Sequence, residues 1–159
     1  MKICILKETT QNEKRVALVP DVAKKLINDG FEVFIESGAG KQSDFSDEDY
    51  TGVGVTAAEA DKIIPNADII FSVKMPNIDS IKKMKAEACL IGLLNPYDNH
   101  EQLKALSENN VNAFSMELVP RSPRAQSMDV LSSQSNLAGY KAIVDSSSMF
   151  NRAMPMMMT

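Results

Sequence analysis

One feature constrains this chain more than any other. Five times, a short run rich in apolar and β-branched residues is followed by a stretch carrying helical signals. The runs cover residues 2–6, 31–36, 68–74, 89–94 and 111–116. Strands that read as continuous apolar runs are buried on both faces, and helix-length crossovers between them require parallel pairing. Right-handed crossovers then leave few topologies.

The expected fold class is α/β. It is a flavodoxin-like or Rossmann-like doubly wound, mainly parallel five-stranded sheet with helices on both faces. Local signals place the helices. Pro20 opens one that runs through residue 28, and Gly30 stops it. Ser46-Asp47-Glu48-Asp49 is a capped, acidic start that suits the helix dipole. Thr56-Ala57-Ala58-Glu59 has the spacing of a capping box and predicts a helix ending near Pro65. Residues 78–85 predict a basic helix, and 99–109 a helix capped by Asn99. Ligands of such sheets bind beyond the carboxyl ends of the strands. The loops after Leu6, Lys74, Leu94 and Met116 are therefore where chemistry is expected.

Composition excludes several classes. With 159 residues, 44% hydrophobic and 24% charged, the chain is of ordinary globular make-up. Lys plus Arg number 17 against 21 Asp plus Glu, a net charge of -4. Such a chain lacks the basic face that nucleic acid demands. No run approaches the roughly 20 apolar residues of a membrane span, so direct membrane insertion is not expected. Lys2, Lys7 and Glu8 come too early for a signal peptide. Cys4 and Cys89 sit in apolar runs, which argues against a disulfide framework or a metal site and for a reducing compartment.

Several motifs fail on inspection. Ser37-Gly38-Ala39-Gly40-Lys41-Gln42-Ser43 lacks both the Ser or Thr that a P-loop needs after Lys41 and the third glycine of a dinucleotide turn. Gly38 and Gly40 read as turn glycines. Gly52-Val53-Gly54 fails likewise. His100, the only histidine, stands in a polar helix start and reads as a surface residue. No Gly-x-Ser-x-Gly elbow is present.

Residues 120–142 carry more information. They leave the fifth strand and run into a long helix predicted from Gln126 onward. At about 100° per residue, Gln126, Asp129, Ser133, Asn136 and Tyr140 fall within about 80° of one another, with Ser132 beside them. Leu131, Ala138, Ala142 and Met149 form one apolar strip, and Val130, Leu137 and Val144 another. A helix with two apolar strips and a polar seam suits packing on two sides with the seam toward a cleft. A core helix with solvated polar residues fits the pattern equally. Five of the ten methionines stand at or after Met149, and an apolar end of this kind calls for a cover.

The segment Arg124-Ala125-Gln126-Ser127-Met128-Asp129 with Ser135-Asn136-Leu137-Ala138-Gly139-Tyr140 resembles the signature of proton-translocating nicotinamide nucleotide transhydrogenase, in the NAD(H)-binding domain of its alpha subunit. That family is grouped with alanine dehydrogenase. Ile5-Leu6-Lys7-Glu8, Glu13-Lys14-Arg15 through Pro20, Phe31-Glu32-Val33, Val73-Lys74, Met116 through Arg121, and Met156 through Thr159 resemble it too. The resemblance runs the length of the chain.

It implies a division in two, with residues 1–125 as the N-terminal α/β domain and 126–159 as a connecting helix leading to an NAD-binding Rossmann domain beyond Thr159. It implies hydride transfer from NADH to NADP⁺, coupled to proton translocation. NAD(H) would be held by the full-length protein and NADP(H) by the partner subunit. The implied partners are the beta subunit and a membrane domain, with a homodimer of the full-length protein. The implied location is cytoplasmic, peripheral to the inner membrane. The 159-residue chain alone is expected to be inactive. By resemblance, Gln126 and Asp129 are the catalytic residues, and Arg121, Gln126, Asp129 and Ser132 hold the nicotinamide end. Ser122-Pro123 departs from the family's more usual Ile-Ser, which bears on the placement of Arg121 because proline stiffens the loop.

Two alternatives remain. In alanine dehydrogenase, Arg15 and Lys74 would contact substrate, but the histidine which that family places after the fourth strand has no counterpart in Leu94-Asn95-Pro96-Tyr97. Arg15 and Lys74 serve equally as structural salt-bridge residues. The other alternative is a non-catalytic flavodoxin-like binding module.

Overall fold

The computed structural model describes residues 1–152. It divides into two units, one from Met1 to Leu118 and one beginning at Val119. The methionine-rich run from Met154 to Thr159, read above as an apolar end, lies outside the described residues.

The first unit is built on six strands: β1 (Lys2–Ile5), β2 (Glu32–Glu36), β3 (Thr56–Ala58), β4 (Ile69–Lys74), β5 (Cys89–Leu93) and β6 (Asn112–Ser115). They lie in the order β3-β2-β1-β4-β5-β6, and every pair is parallel. The chain winds outward from β1 to β3, returns to the other side of β1, and winds outward again. The direction reverses between β1 and β4, so that is the crevice where such sheets take ligands. Five helices make the crossovers: α1 (Pro20–Asn28), α2 (Asp47–Thr51), α3 (Ala60–Ile63), α4 (Ile78–Lys82) and α5 (His100–Glu108).

Five strands were expected and six are present. The additional one is β3, formed where the capping-box spacing predicts a helix start. Ala57 pairs with Ile35 and Ala58 with Glu36, and the Ala58 carbonyl accepts the Ser37 N–H at 3.0 Å. Partners on β2 outweigh the local helical signal, and α3 starts only after Glu59, without a side-chain cap. The capping box of this chain is at Ser46. Its Oγ accepts the Asp49 N–H at 3.2 Å while Asp49 Oδ2 accepts the Ser46 N–H at 2.7 Å. Without β3, the remaining strands keep the order expected of a flavodoxin-like sheet. With it, the order is that of a Rossmann sheet.

Alternation along β1 builds both cores. Ile3 and Ile5 join Val33, Ile35, Ala23 and Tyr50 on one side. Cys4 and Leu6 join Ile70, Leu90, Ile81 and Leu106 on the other. Burying each large aliphatic side chain contributes about 1.5–3 kcal/mol, so a strand sealed on both faces anchors the unit. Burial raises the Cys4 thiol pKa to about 12, helped by the negative charge of Glu36. Gly92 lets β5 approach β4 closely: a Cβ there would stand 2.4 Å from the Ser72 carbonyl oxygen.

In the second unit a single 3₁₀ turn, Gln126–Met128, precedes the helix α6 (Val130–Met149). The helix was expected to start at Gln126 and instead starts four residues later, because Asp129 caps it. The shared polar seam is thereby corrected. Gln126 and Asp129 precede the helix, and Ser132, Ser133, Asn136 and Tyr140 lie on it. No residue of α6 is buried, and Leu137 and Ile143 are 59% and 68% exposed. Apolar side chains occur around the whole circumference, so no single face is set apart for burial. No helix among the described residues is long and apolar enough to cross a membrane.

Candidate functional site

Local chemistry builds the cap of α6. Asp129 has a ψ of 86°, outside the helical range, and its Oδ1 accepts the Ser132 N–H at 2.9 Å. The Ser132 hydroxyl donates to Oδ2 at 2.6 Å. Both carboxylate oxygens are thus oriented by one serine. The hydrogen bond from the Ser132 hydroxyl is the leading cause holding the Asp129 carboxyl below the usual range. The Ser132 amide adds to it, and the positive charge of Arg121 contributes less. Asp129 is therefore an anion at neutral pH.

The approach to this cap is a chain of tight turns. The Ser122 N–H donates to the Pro120 carbonyl at 2.9 Å, the Ala125 N–H to Ser122 at 3.0 Å, and the Met128 N–H to Ala125 at 2.9 Å. Pro123 occupies the second position of the turn from Ser122 to Ala125, which its fixed φ favours and where its missing N–H is not needed. Arg121, Ser122, Pro123, Ala125, Gln126 and Asp129 line one pocket of about 260 Å³. Whole small-molecule sites run to about 300 Å³ and above, so this one suits a single ring with its substituent. Three of the four expected nicotinamide residues, Arg121, Gln126 and Asp129, border it. The fourth, Ser132, is bonded to Asp129. Arg121 and Asp129 share the pocket without a direct ion pair, and neither the Arg121 guanidinium nor the Gln126 amide makes a hydrogen bond among the described residues. The pocket thus offers a cation, an amide and an anion to an incoming group.

Arg15 and Lys74 lie in the first unit and have a different character. Arg15 pairs with Glu13 through two bonds, Nε to Oε1 at 2.7 Å and Nη2 to Oε2 at 2.6 Å. These bonds hold Glu13 below, and Arg15 above, their ordinary pKa values. The ion-pair role open to Arg15 is the one the geometry displays. Lys74 ends β4 and borders a cleft of about 80 Å³ at the β1–β4 switch point, together with Lys7, Glu8, Glu36 and Ser72.

The glycine loop after β2 has its own explanation. Asp47 presents both carboxylate oxygens to the Gly38 N–H, at 2.9 and 3.2 Å. An anion already holds the amide that a phosphate would need. Glu36, in the place at the end of β2 where dinucleotide folds bind a ribose, instead accepts the Lys7 N–H at 2.9 Å. His100 is the exposed first residue of α5. Two carboxylates escaped the sequence reading. Glu8 receives the Val73 and Lys74 amides at 2.6 and 3.1 Å, and Glu117 receives the Asn95 amide. Their sequence signals were a position just beyond a strand and a place in segments that carry the family resemblance, neither of which singles out a carboxylate.

Comparison with known proteins identifies the family. The family described as alanine dehydrogenase/PNT, N-terminal domain, matches residues 4–138. The first portion of NAD(P) transhydrogenase subunit alpha from Rickettsia prowazekii is 43% identical over 164 residues, covering 100% of this chain and 43% of that protein. The crystal structure of transhydrogenase from Sinorhizobium meliloti superposes with a TM-score of 0.91 at 42% identity, covering 100% of this chain and 48% of that one. An L-alanine dehydrogenase structure gives 0.72 at 28% identity, over 78% of this chain and 34% of the other. The chain thus spans less than half the length of the proteins it matches. On the match over residues 4–138, the chain belongs to the alanine dehydrogenase/PNT N-terminal domain family.

Proposed function

We propose that this chain is the N-terminal part of the NAD(H)-binding component of a proton-translocating transhydrogenase, and that the pocket before α6 receives the nicotinamide end of NADH. The observation that carries the reading is the convergence of Arg121, Gln126 and Asp129 on one pocket sized for a ring. A carboxamide both donates and accepts hydrogen bonds. Asp129 supplies the acceptor, Arg121 the donors, and Gln126 either. The residues fit the group.

When bound, the dinucleotide supplies a hydride, which passes directly to NADP⁺ on a partner subunit. No general acid or base is required of the protein, only orientation and exclusion of water. Ser132 locks both oxygens of Asp129, so the carboxylate meets the carboxamide already oriented. Arg121 balances the charge. Gln126, ahead of the helix on its own 3₁₀ turn, would hold the nicotinamide ribose and so orient the ring for approach to the second one. Coupling to proton translocation, the beta subunit, the membrane domain, the homodimer and a cytoplasmic position at the inner membrane belong to the same proposal. So does a following Rossmann domain that binds the remainder of the dinucleotide.

The higher identity and fuller coverage of transhydrogenases support this over an alanine dehydrogenase, as does the absence of histidine from Leu94-Asn95-Pro96-Tyr97. The test is Asp129→Asn in the complete protein. Turnover is expected to fall with the fold intact by circular dichroism. Unchanged turnover removes Asp129 from the site.

A further inference from the structure

The cleft between the exits of β1 and β4 contains a carboxylate to which nothing so far assigns a role. β1 pairs with β4 as far as Phe71, and β4 pairs regularly with β5 to the same residue. Beyond it the register shifts, and Lys74 next pairs with Leu93. In a regular strand successive N–H groups point to opposite sides. Here the successive Val73 and Lys74 amides both donate to Glu8, to Oε1 at 2.6 Å and Oε2 at 3.1 Å. That is the geometry of a bulge, and Glu8 takes the place of the missing strand partner.

The carboxylate stands among other charges. Lys7, Glu13 and Arg15 share its segment, Glu36 faces the cleft from β2, and Lys74 from β4, while α4 and its approach bring only the neutral Asn77 and Ser80. Ser72, one residue before the bulge, is 5% exposed, and its Oγ has no hydrogen-bond partner among the described residues. Lys74 and Ser72 flank Val73, so their directions into the cleft depend on how the bulge is held.

We infer that Glu8 is a positioning residue. By clamping the bulged end of β4 from the segment after β1, it sets the direction in which Lys74 and Ser72 face the switch-point cleft. This role is independent of nicotinamide binding, whose residues belong to the other unit. A neutral amide loses half of the clamp. Glutamine offers one acceptor oxygen, and its NH₂ meets the second backbone donor head-on. Burial is the leading cause that raises the Glu8 carboxyl above its ordinary value, against the lowering effect of the two amides. A carboxyl whose burial is offset by two backbone donors, at the crevice where such sheets take ligands, is the kind of group found at working sites.

The test uses the 159-residue chain and two independent measurements. In Glu8→Gln, amide hydrogen exchange at Val73 and Lys74 is expected to accelerate about tenfold, the loss of one hydrogen bond, while Ile70 and Leu90 keep their protection. Acetic anhydride should then modify Lys74 at a rate altered several-fold, with Lys2 and Lys24 unchanged. In the unaltered chain, the Val73 and Lys74 amide chemical shifts should titrate with the midpoint of the Glu8 carboxyl carbon, which needs no variant to fold. Unchanged protection and Lys74 reactivity in Glu8→Gln overturn the inference. So does a uniform loss of protection across the core, or amide shifts that ignore the Glu8 titration.

Discussion

Compare the carboxylates of the two units. In the first, Glu8, Glu36, Asp47, Asp68 and Glu117 each accept a backbone N–H from a distant part of the chain. Their hydrogen-bonding capacity ties strand ends to loops. In the second, Asp129 bonds only within its own helix start, beside an Arg121 and a Gln126 that bond to nothing among the described residues. These five carboxylates of the first unit are engaged by its fold, whereas Arg121 and Gln126 of the second are left for something else. Substitutions should therefore cost stability in one region and activity in the other.

Gly92→Ala should have the largest effect on stability. Its new methyl group would meet backbone rather than a movable side chain, so a loss of about 3 kcal/mol is expected by urea denaturation. A loss below about 1 kcal/mol would mean that β4 and β5 part easily, weakening the picture of a rigid first unit. Tyr50→Phe comes next. The Tyr50 hydroxyl, fully buried, donates to the Leu18 carbonyl at 2.8 Å. Removing it leaves that carbonyl without its partner and should cost about 1–2 kcal/mol. Ser132→Ala should leave the denaturation midpoint of the first unit unchanged, yet speed amide exchange at the start of α6. A global shift would break the division between the regions.

The smallest effect concerns pH. Glu13 is held below its ordinary value of 4.5, chiefly by the hydrogen bond from Arg15. The folded state then binds its proton less readily than the unfolded chain. This contribution to stability is complete above 4.5 and is lost as pH falls through the lowered folded value. Glu8, raised above 4.5 chiefly by burial, has the opposite sign. Its ionised form weakens the fold at neutral pH, and that penalty is relieved as pH falls through its raised value. Stability profiles of Glu13→Gln and Glu8→Gln should deviate from the parent in opposite directions on acidification. Deviations of the same sign would refute the assignment.

How far the sequence could be read follows the same division. Apolar strands and proline or glycine punctuation are local signals, and they located α1 and five strands to within a residue or two. β3 was not legible, because three residues with an apparent helix cap become a strand only when β2 is beside them. The start of α6 was missed for a related reason: a helical wheel assumes one continuous helix, and Asp129 interrupts it. The polar residues of the pocket were legible as a set only through the family resemblance of residues 120–142, because Arg121 lies off the helical seam and the turns before α6 bring it to Gln126 and Asp129. Glu8 was not, because its partners are 65 and 66 positions away in the chain.

The central claim is that the pocket before α6 orients a nicotinamide ring. Single-turnover hydride transfer in the complete protein bearing Gln126→Asn tests it most directly, with NADH affinity measured on the same sample. Shortening the side chain by one methylene should slow transfer about a hundredfold, because misplacement by an ångström costs that much. The dissociation constant for NADH should stay within about threefold, since the proposal assigns the rest of the dinucleotide to a following domain. Equal losses in rate and affinity, or no loss in either, would contradict the account.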